Sequence, residues 1–143
     1  MKILLSLTLF SLLCITAGCQ SVYDVKFTST TRGYNKEIFI TPKKITFHEE
    51  NAREVGKGED FTRAIEKQEW KKLLESLDGV LLREIPLLKA PSDKRTYDGA
   101  RASTIIITDK KGKSWHHAFD DEEPHAQLKP LMNQILELAK SKK

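Results

Sequence analysis

The chain has 143 residues, with 24 Lys and Arg against 20 Asp and Glu, a formal charge of +4. The cations are scattered among nearly as many acids, so the charge balance gives no indication of nucleic acid as a partner. Both cysteines, Cys14 and Cys19, lie near the N-terminus. The rest of the chain therefore has no internal disulfide, thiolate zinc site or cysteine nucleophile, and must be stabilised by packing.

Lys2 precedes an apolar run from Ile3 to Ile15, and Thr16-Ala17-Gly18 then leads to Cys19. A run of about 13 residues suits the apolar region of a secretory signal and falls short of the ~20 that span a bilayer. A buried N-terminal core helix is the alternative, but no polar face interrupts the run and Gly18 ends it. Ala17-Gly18-Cys19 resembles the lipobox of bacterial lipoproteins, although an aliphatic residue is commoner where Thr16 stands. A plain signal-peptidase site competes with that reading.

The resemblance implies that residues 1–18 are a signal peptide that is removed and that Cys19 becomes the acylated first residue. Residues 19–24 then form a lipidated terminus and tether, and residues 25–143 a single domain. Several acyl chains anchor stably, at ~0.8 kcal/mol per buried CH₂, where one chain binds only marginally. The implied partner is the membrane, through lipid on Cys19, in the cell envelope. Gln20 is not the aspartate that retains some lipoproteins in the inner membrane, which favours the outer one.

Within the domain, Val25-Lys26-Phe27-Thr28-Ser29 alternates with period 2 and predicts a strand running on to Arg32. Gly33-Tyr34-Asn35 predicts a turn, followed by strands over 37–41 and 45–49 in meander order. The polar stretch 51–60 reads as a loop. Trp70, Leu73, Leu74 and Leu77 recur at i, i+3, i+4 and i+7, the stripe of an amphipathic helix closed by Gly79. Glu66 and Lys67 break that stripe upstream, so residues 61–65 belong to a separate strand and the helix starts near residues 66–68. Pro86 and Pro91 make residues 80–99 an irregular crossing segment. Residues 102–108 are the strongest strand, returning through an Asp109–Lys113 turn into 114–119. Leu128, Leu131, Met132, Ile135, Leu136 and Ala139 form a second helical stripe, and Pro130 places its start near Lys129. The order predicts an α+β domain: a single antiparallel sheet of four to six strands with two helices packed on one face.

His116, His117 and His125, with Asp120 or Asp121, invite a metal or catalytic reading. Adjacent strand residues point to opposite faces, however, so the expectation is of solvent-exposed strand histidines and no metal site. The acidic run Asp120-Asp121-Glu122-Glu123 precedes Pro124 and is expected to cap the helix that follows. Calcium is a weaker alternative, because the run lacks the Asp/Asn and glycine alternation of calcium loops. There is no Gly-x-Ser-x-Gly, His-Glu-x-x-His or phosphate loop, and no motif that implies a cofactor. Asp98-Gly99 predicts a turn with positive φ at the glycine.

Thr30-Thr31-Arg32-Gly33-Tyr34, Ala90-Pro91, Tyr97-Asp98-Gly99-Ala100 and Phe119-Asp120, taken with the Trp70 helix, are similar to small uncharacterised bacterial lipoproteins. That resemblance covers roughly residues 28–140 and implies no assigned activity. The expected function is a non-enzymatic binding module anchored in the envelope, with an envelope protein as partner and no role for nucleic acid. Arg32, Tyr34 and Tyr97 are candidate contact residues, since interfaces favour arginine and aromatics. The alternative is a small envelope enzyme or metal-handling protein using His116, His117, His125 and Asp120.

Overall fold

The computed structural model describes residues 21–54 and 58–140. The expected signal segment, residues 1–18, and Cys19 lie outside these residues. Six strands form one antiparallel sheet: β1 (Val22–Thr31), β2 (Tyr34–Ile40), β3 (Lys44–Asn51), β4 (Glu59–Ala64), β5 (Ala102–Asp109) and β6 (Ser114–Asp120), in spatial order β4-β3-β2-β1-β5-β6. Two helices, α1 (Lys67–Glu75) and α2 (Lys129–Lys140), complete an α+β domain. None of the described helices is long and apolar enough to cross a membrane.

Period-2 patterning turns into rows across the sheet. Phe61, Phe47, Ile38, Phe27, Ile105 and His117 stand opposite one another in successive strands, and form one row on the core face. Phe47 and Phe61 stack at 5.1 Å between ring centroids. The next row carries Ile45, Ile40, Val25 and Ile107, all fully buried. Leu73 of α1, Leu77 in the turn just after it, and Leu131, Met132, Ile135 and Leu138 of α2 join the same buried cluster.

β1 begins at Val22, which is already buried, ahead of the domain start expected at Val25. The predicted turn at 33–35 is shorter than expected. Thr31 pairs with Tyr34 and Thr30 with Asn35, so only Arg32 and Gly33 connect the strands, with Gly33 at φ 79° supplying the reversal. Likewise β3 runs through Asn51 and β4 opens at Glu59, narrowing the loop expected over 51–60.

The break in helical phase is real: Ala64 ends β4, and α1 begins at Lys67. Glu69 explains the sharp junction. Its carboxylate accepts the Glu66 amide at 2.9 Å and both terminal nitrogens of Arg63, at 2.9 and 3.0 Å. Arg63 also donates to the Leu138 carbonyl at 3.1 Å, tying β4 and α1 to the end of α2.

Residues 80–99 hold two short 3₁₀ turns, Leu82–Leu87 and Lys94–Tyr97, rather than a wholly irregular path. The positive φ falls on Asp98 (62°), not on Gly99. Aspartate tolerates the left-handed region, while Gly99 is needed for space: a Cβ there would meet the Lys94 carbonyl at 3.2 Å.

Candidate functional site

The third row on the core face changes character. Glu59, Glu49, Lys36, Ser29, Ser103 and Phe119 follow one another across the strands, so charge enters where the first two rows are mainly apolar. The buried hydroxyls of Ser29 and Ser103 pair at 2.8 Å, and Ser103 also bonds the Asp121 carbonyl. Beside them, the Tyr34 hydroxyl donates to Glu49 Oε1 at 2.5 Å. Lys36 Nζ lies 3.2 Å from Glu122 and 3.6 Å from Glu49. The Arg101 guanidinium sits 5.2 Å from the Tyr34 ring centre and bonds Asp121 through Nε at 3.2 Å.

These contacts set the titration of the cluster. Burial disfavours the Lys36 ammonium, but Glu122 and Tyr34 outweigh it, and the lysine pKa is raised. Burial and the hydrogen bond to Glu49 raise the Tyr34 pKa against the pull of Lys36.

Next to the cluster, α2 leaves a half-open pocket of about 300 Å³. Ile38, Phe47, Leu136 and Ala139 give it an apolar lining, and Lys36, Glu49, Glu59 and Lys140 supply the charges. A neutral apolar floor with both signs of charge around it suits an amphipathic guest better than a bare ion.

The acidic run does not behave as one group. Asp120 pairs with Arg95 at 2.7 Å, Asp121 with Arg101 at 3.2 Å, Glu122 with Lys36 at 3.2 Å and Glu123 with Lys129 at 3.0 Å. Four adjacent carboxylates thus go to four different cations. The helix-capping role expected of the run is replaced by these pairs, and a shared calcium finds its carboxylates already divided. Asp120 is the most committed. Its buried carboxylate accepts the Lys94 amide at 2.7 Å, the Arg95 amide at 3.2 Å and the Ser92 hydroxyl, so it caps a 3₁₀ turn distant in sequence. Burial acts against its charge, but the bonds from Ser92, Arg95 and Lys94 win and hold the carboxyl well below the usual range.

The histidines part company as strand geometry requires. His116 is exposed on the far face. His117 is buried rather than solvent-facing, because its place opposite Ile105 turns it into the core, where it stacks on Phe119 at 5.3 Å. Its Nε2 accepts the His125 amide at 3.1 Å, while His125 Nδ1 accepts the Gln127 amide at 3.3 Å. Burial first, then the charges of His125 and Arg95, lower the His117 pKa despite a backbone bond to Leu88. His117 and His125 are thus brought together, through the His125 backbone, while His116 faces away and the Asp120 carboxylate is taken by Arg95, Lys94 and Ser92. Among the described residues no group of three His, Cys, Asp or Glu could hold a metal ion.

Of the three candidate contact residues, Tyr34 belongs to the charged cluster, while Arg32 and Tyr97 are exposed, Tyr97 at the end of its 3₁₀ turn. Sequence reasoning missed Lys36, Glu49 and Glu122. The available signal was the inward phase of Glu49, two residues from Phe47, and of Lys36, two residues from Ile38 and just ahead of the strand expected over 37–41. It also missed His48 Nδ1 and Asp60, 2.5 Å apart across β3 and β4 on the outer face, a pair visible only in the register. No family model, curated protein or solved structure matches the chain, so its function has to be argued from its own residues.

Proposed function

We propose that the chain is a lipoprotein of the bacterial cell envelope, held by acyl chains on Cys19, whose domain is a non-enzymatic binding module. In this reading both helices cover the face carrying Phe27 and Ile105, and the pocket at the end of that cover is the contact site. The observation that carries the binding role is the pocket itself: an apolar floor of Ile38, Phe47, Leu136 and Ala139 beside Lys36 and Glu49. The fit is to an amphipathic segment of an envelope protein, with apolar groups on the floor and polar ends against the rim charges. The neighbouring acids and bases are engaged with one another, Tyr34 with Glu49 and Lys36 with Glu122, which favours recognition over proton transfer. The outer membrane is the preferred location, on the residue after Cys19.

Metabolic labelling with an alkyne fatty acid tests the anchor: the wild type is labelled and Cys19→Ser is not. Equal labelling of both refutes it. Capture from solubilised envelope tests the module, with wild-type bait against Ala139→Arg, which fills the pocket and removes no core side chain. A partner held equally by both baits refutes the pocket as the contact site.

A further inference from the structure

We propose that the end of the sheet carrying Val22 is a membrane-contact surface that takes anionic phospholipid headgroups beside the anchor. Antiparallel order brings the start of β1, the β2–β3 turn and the β5–β6 turn to this one end, and β1 lies between β2 and β5. Both neighbouring turns are lysine-rich: Lys43 and Lys44 in one, Lys110, Lys111 and Lys113 in the other, all exposed. Each turn is held by its own hydrogen bonds. Asp109 Oδ1 accepts the amides of Lys111 at 2.8 Å and Lys113 at 2.9 Å. Thr41 Oγ1 accepts those of Lys43 at 3.3 Å and Lys44 at 3.1 Å. The Lys110 amide bonds the Ser21 carbonyl at 2.9 Å, fixing the hairpin to the first described residue.

Among the described residues none of these five ammonium groups forms an ion pair with a carboxylate. Against them stand Asp24, Asp109, which is turned to backbone amides, and Glu66, next to Ile65 whose amide bonds the Lys43 carbonyl. At the opposite end, by contrast, the four acids from Asp120 to Glu123 are each matched by a cation. Tyr23, 54% exposed beside Val22, adds the amphipathic aromatic that membrane interfaces favour.

The inference rests on the acylated-Cys19 reading. Cys19 precedes Ser21 by two residues, a reach of about 7 Å at full extension. Neighbouring strands add only about 5 Å sideways, so the turns lie within about 12 Å of the anchor. That is roughly one and a half Debye lengths at physiological salt, so lysine charges are only partly screened from headgroups beside the anchor. The lysines thus supply the second, electrostatic signal and set which end of the domain faces the bilayer.

The test uses the full-length chain, made in a bacterium that processes lipoproteins and checked for Cys19 acylation by intact mass. It is then placed in vesicles of phosphatidylcholine, or of an equimolar mixture with phosphatidylglycerol. Lysine acetylation is read residue by residue. A surface potential of about −30 mV concentrates protons about threefold at the headgroups, so Lys43, Lys44, Lys110, Lys111 and Lys113 should react about threefold more slowly on anionic vesicles. Lys71 and Lys129 should be unchanged, and molar salt should remove the difference. The K110Q/K111Q/K113Q variant keeps the backbone bonds of its turn and should weaken protection of Lys43 and Lys44. Equal reactivity on both vesicles, with Cys19 acylated, overturns the membrane-contact surface alone. An unacylated Cys19 overturns the anchor and this surface with it.

Discussion

Replacing Lys36 with Met keeps the apolar stem and removes the ammonium, which isolates what charge contributes to the third row of the sheet. Lys36 is 16% exposed and faces Glu122 at 3.2 Å and Glu49 at 3.6 Å, whose side chains are 31% and 29% exposed. The two carboxylates left behind are only partly desolvated, so the loss falls between an exposed pair and a buried one, about 1–2 kcal/mol. For a domain of this size that lowers Tm by about 3–10 °C. The effect also has a pH signature. Because the folded pKa of Lys36 is raised, its contribution is complete below the unfolded value of 10.5 and fades as pH rises through the folded value. Urea melts of wild type and Lys36→Met should therefore differ at neutral pH and converge in strong alkali. A double-mutant cycle with Glu122→Gln should return a coupling of about 0.5–1 kcal/mol. If Lys36→Met is as stable as wild type at neutral pH, the cluster contributes nothing and the charged row is incidental.

Phe27 sits fully buried in the central row, and Phe27→Ala should cost about 3–5 kcal/mol in urea, comparable with the whole stability of a small domain. Asp120→Asn should speed amide exchange at Lys94 and Arg95. Because the Asp120 pKa is lowered, its contribution is present above about pH 3.8 and lost in stronger acid, where the variant and wild type should converge. His117 favours its neutral form, so its contribution is present above pH 6.5 and falls away as pH drops toward its lowered folded value. Ring-proton NMR should find His117 titrating below that of a free histidine.

Local pattern carried the elements well. Alternation located β1 and β3, the β-rich run 102–108 and the turn after it located β5 and β6, and the failure of helical phase at Glu66 and Lys67 separated β4 from α1. Pro130, tolerable only in a first helical turn, located the start of α2. Register and long-range pairing are different in kind. Nothing in the residues around Phe27 says that Ile105 rather than a nearer strand lies beside them. The acidic run at 120–123 looked like a local helix cap because its cations lie far away in sequence, Arg95 before it and Lys36 further still. His117 was misjudged for the same reason: its burial depends on what covers that face, and alternation alone does not choose the covered side. The candidate site was legible in Tyr34 alone, because a pocket made by β2, β3 and α2 exists only after they pack.

The central claim is that the domain is carried on a lipid anchor at Cys19, and intact-mass analysis of the full chain expressed in a bacterium tests it most directly. The account predicts a mature protein that begins at Cys19 and bears the added mass of its acyl chains, recovered in the membrane fraction. A chain that retains residues 1–18, or begins elsewhere without acyl mass, would contradict it.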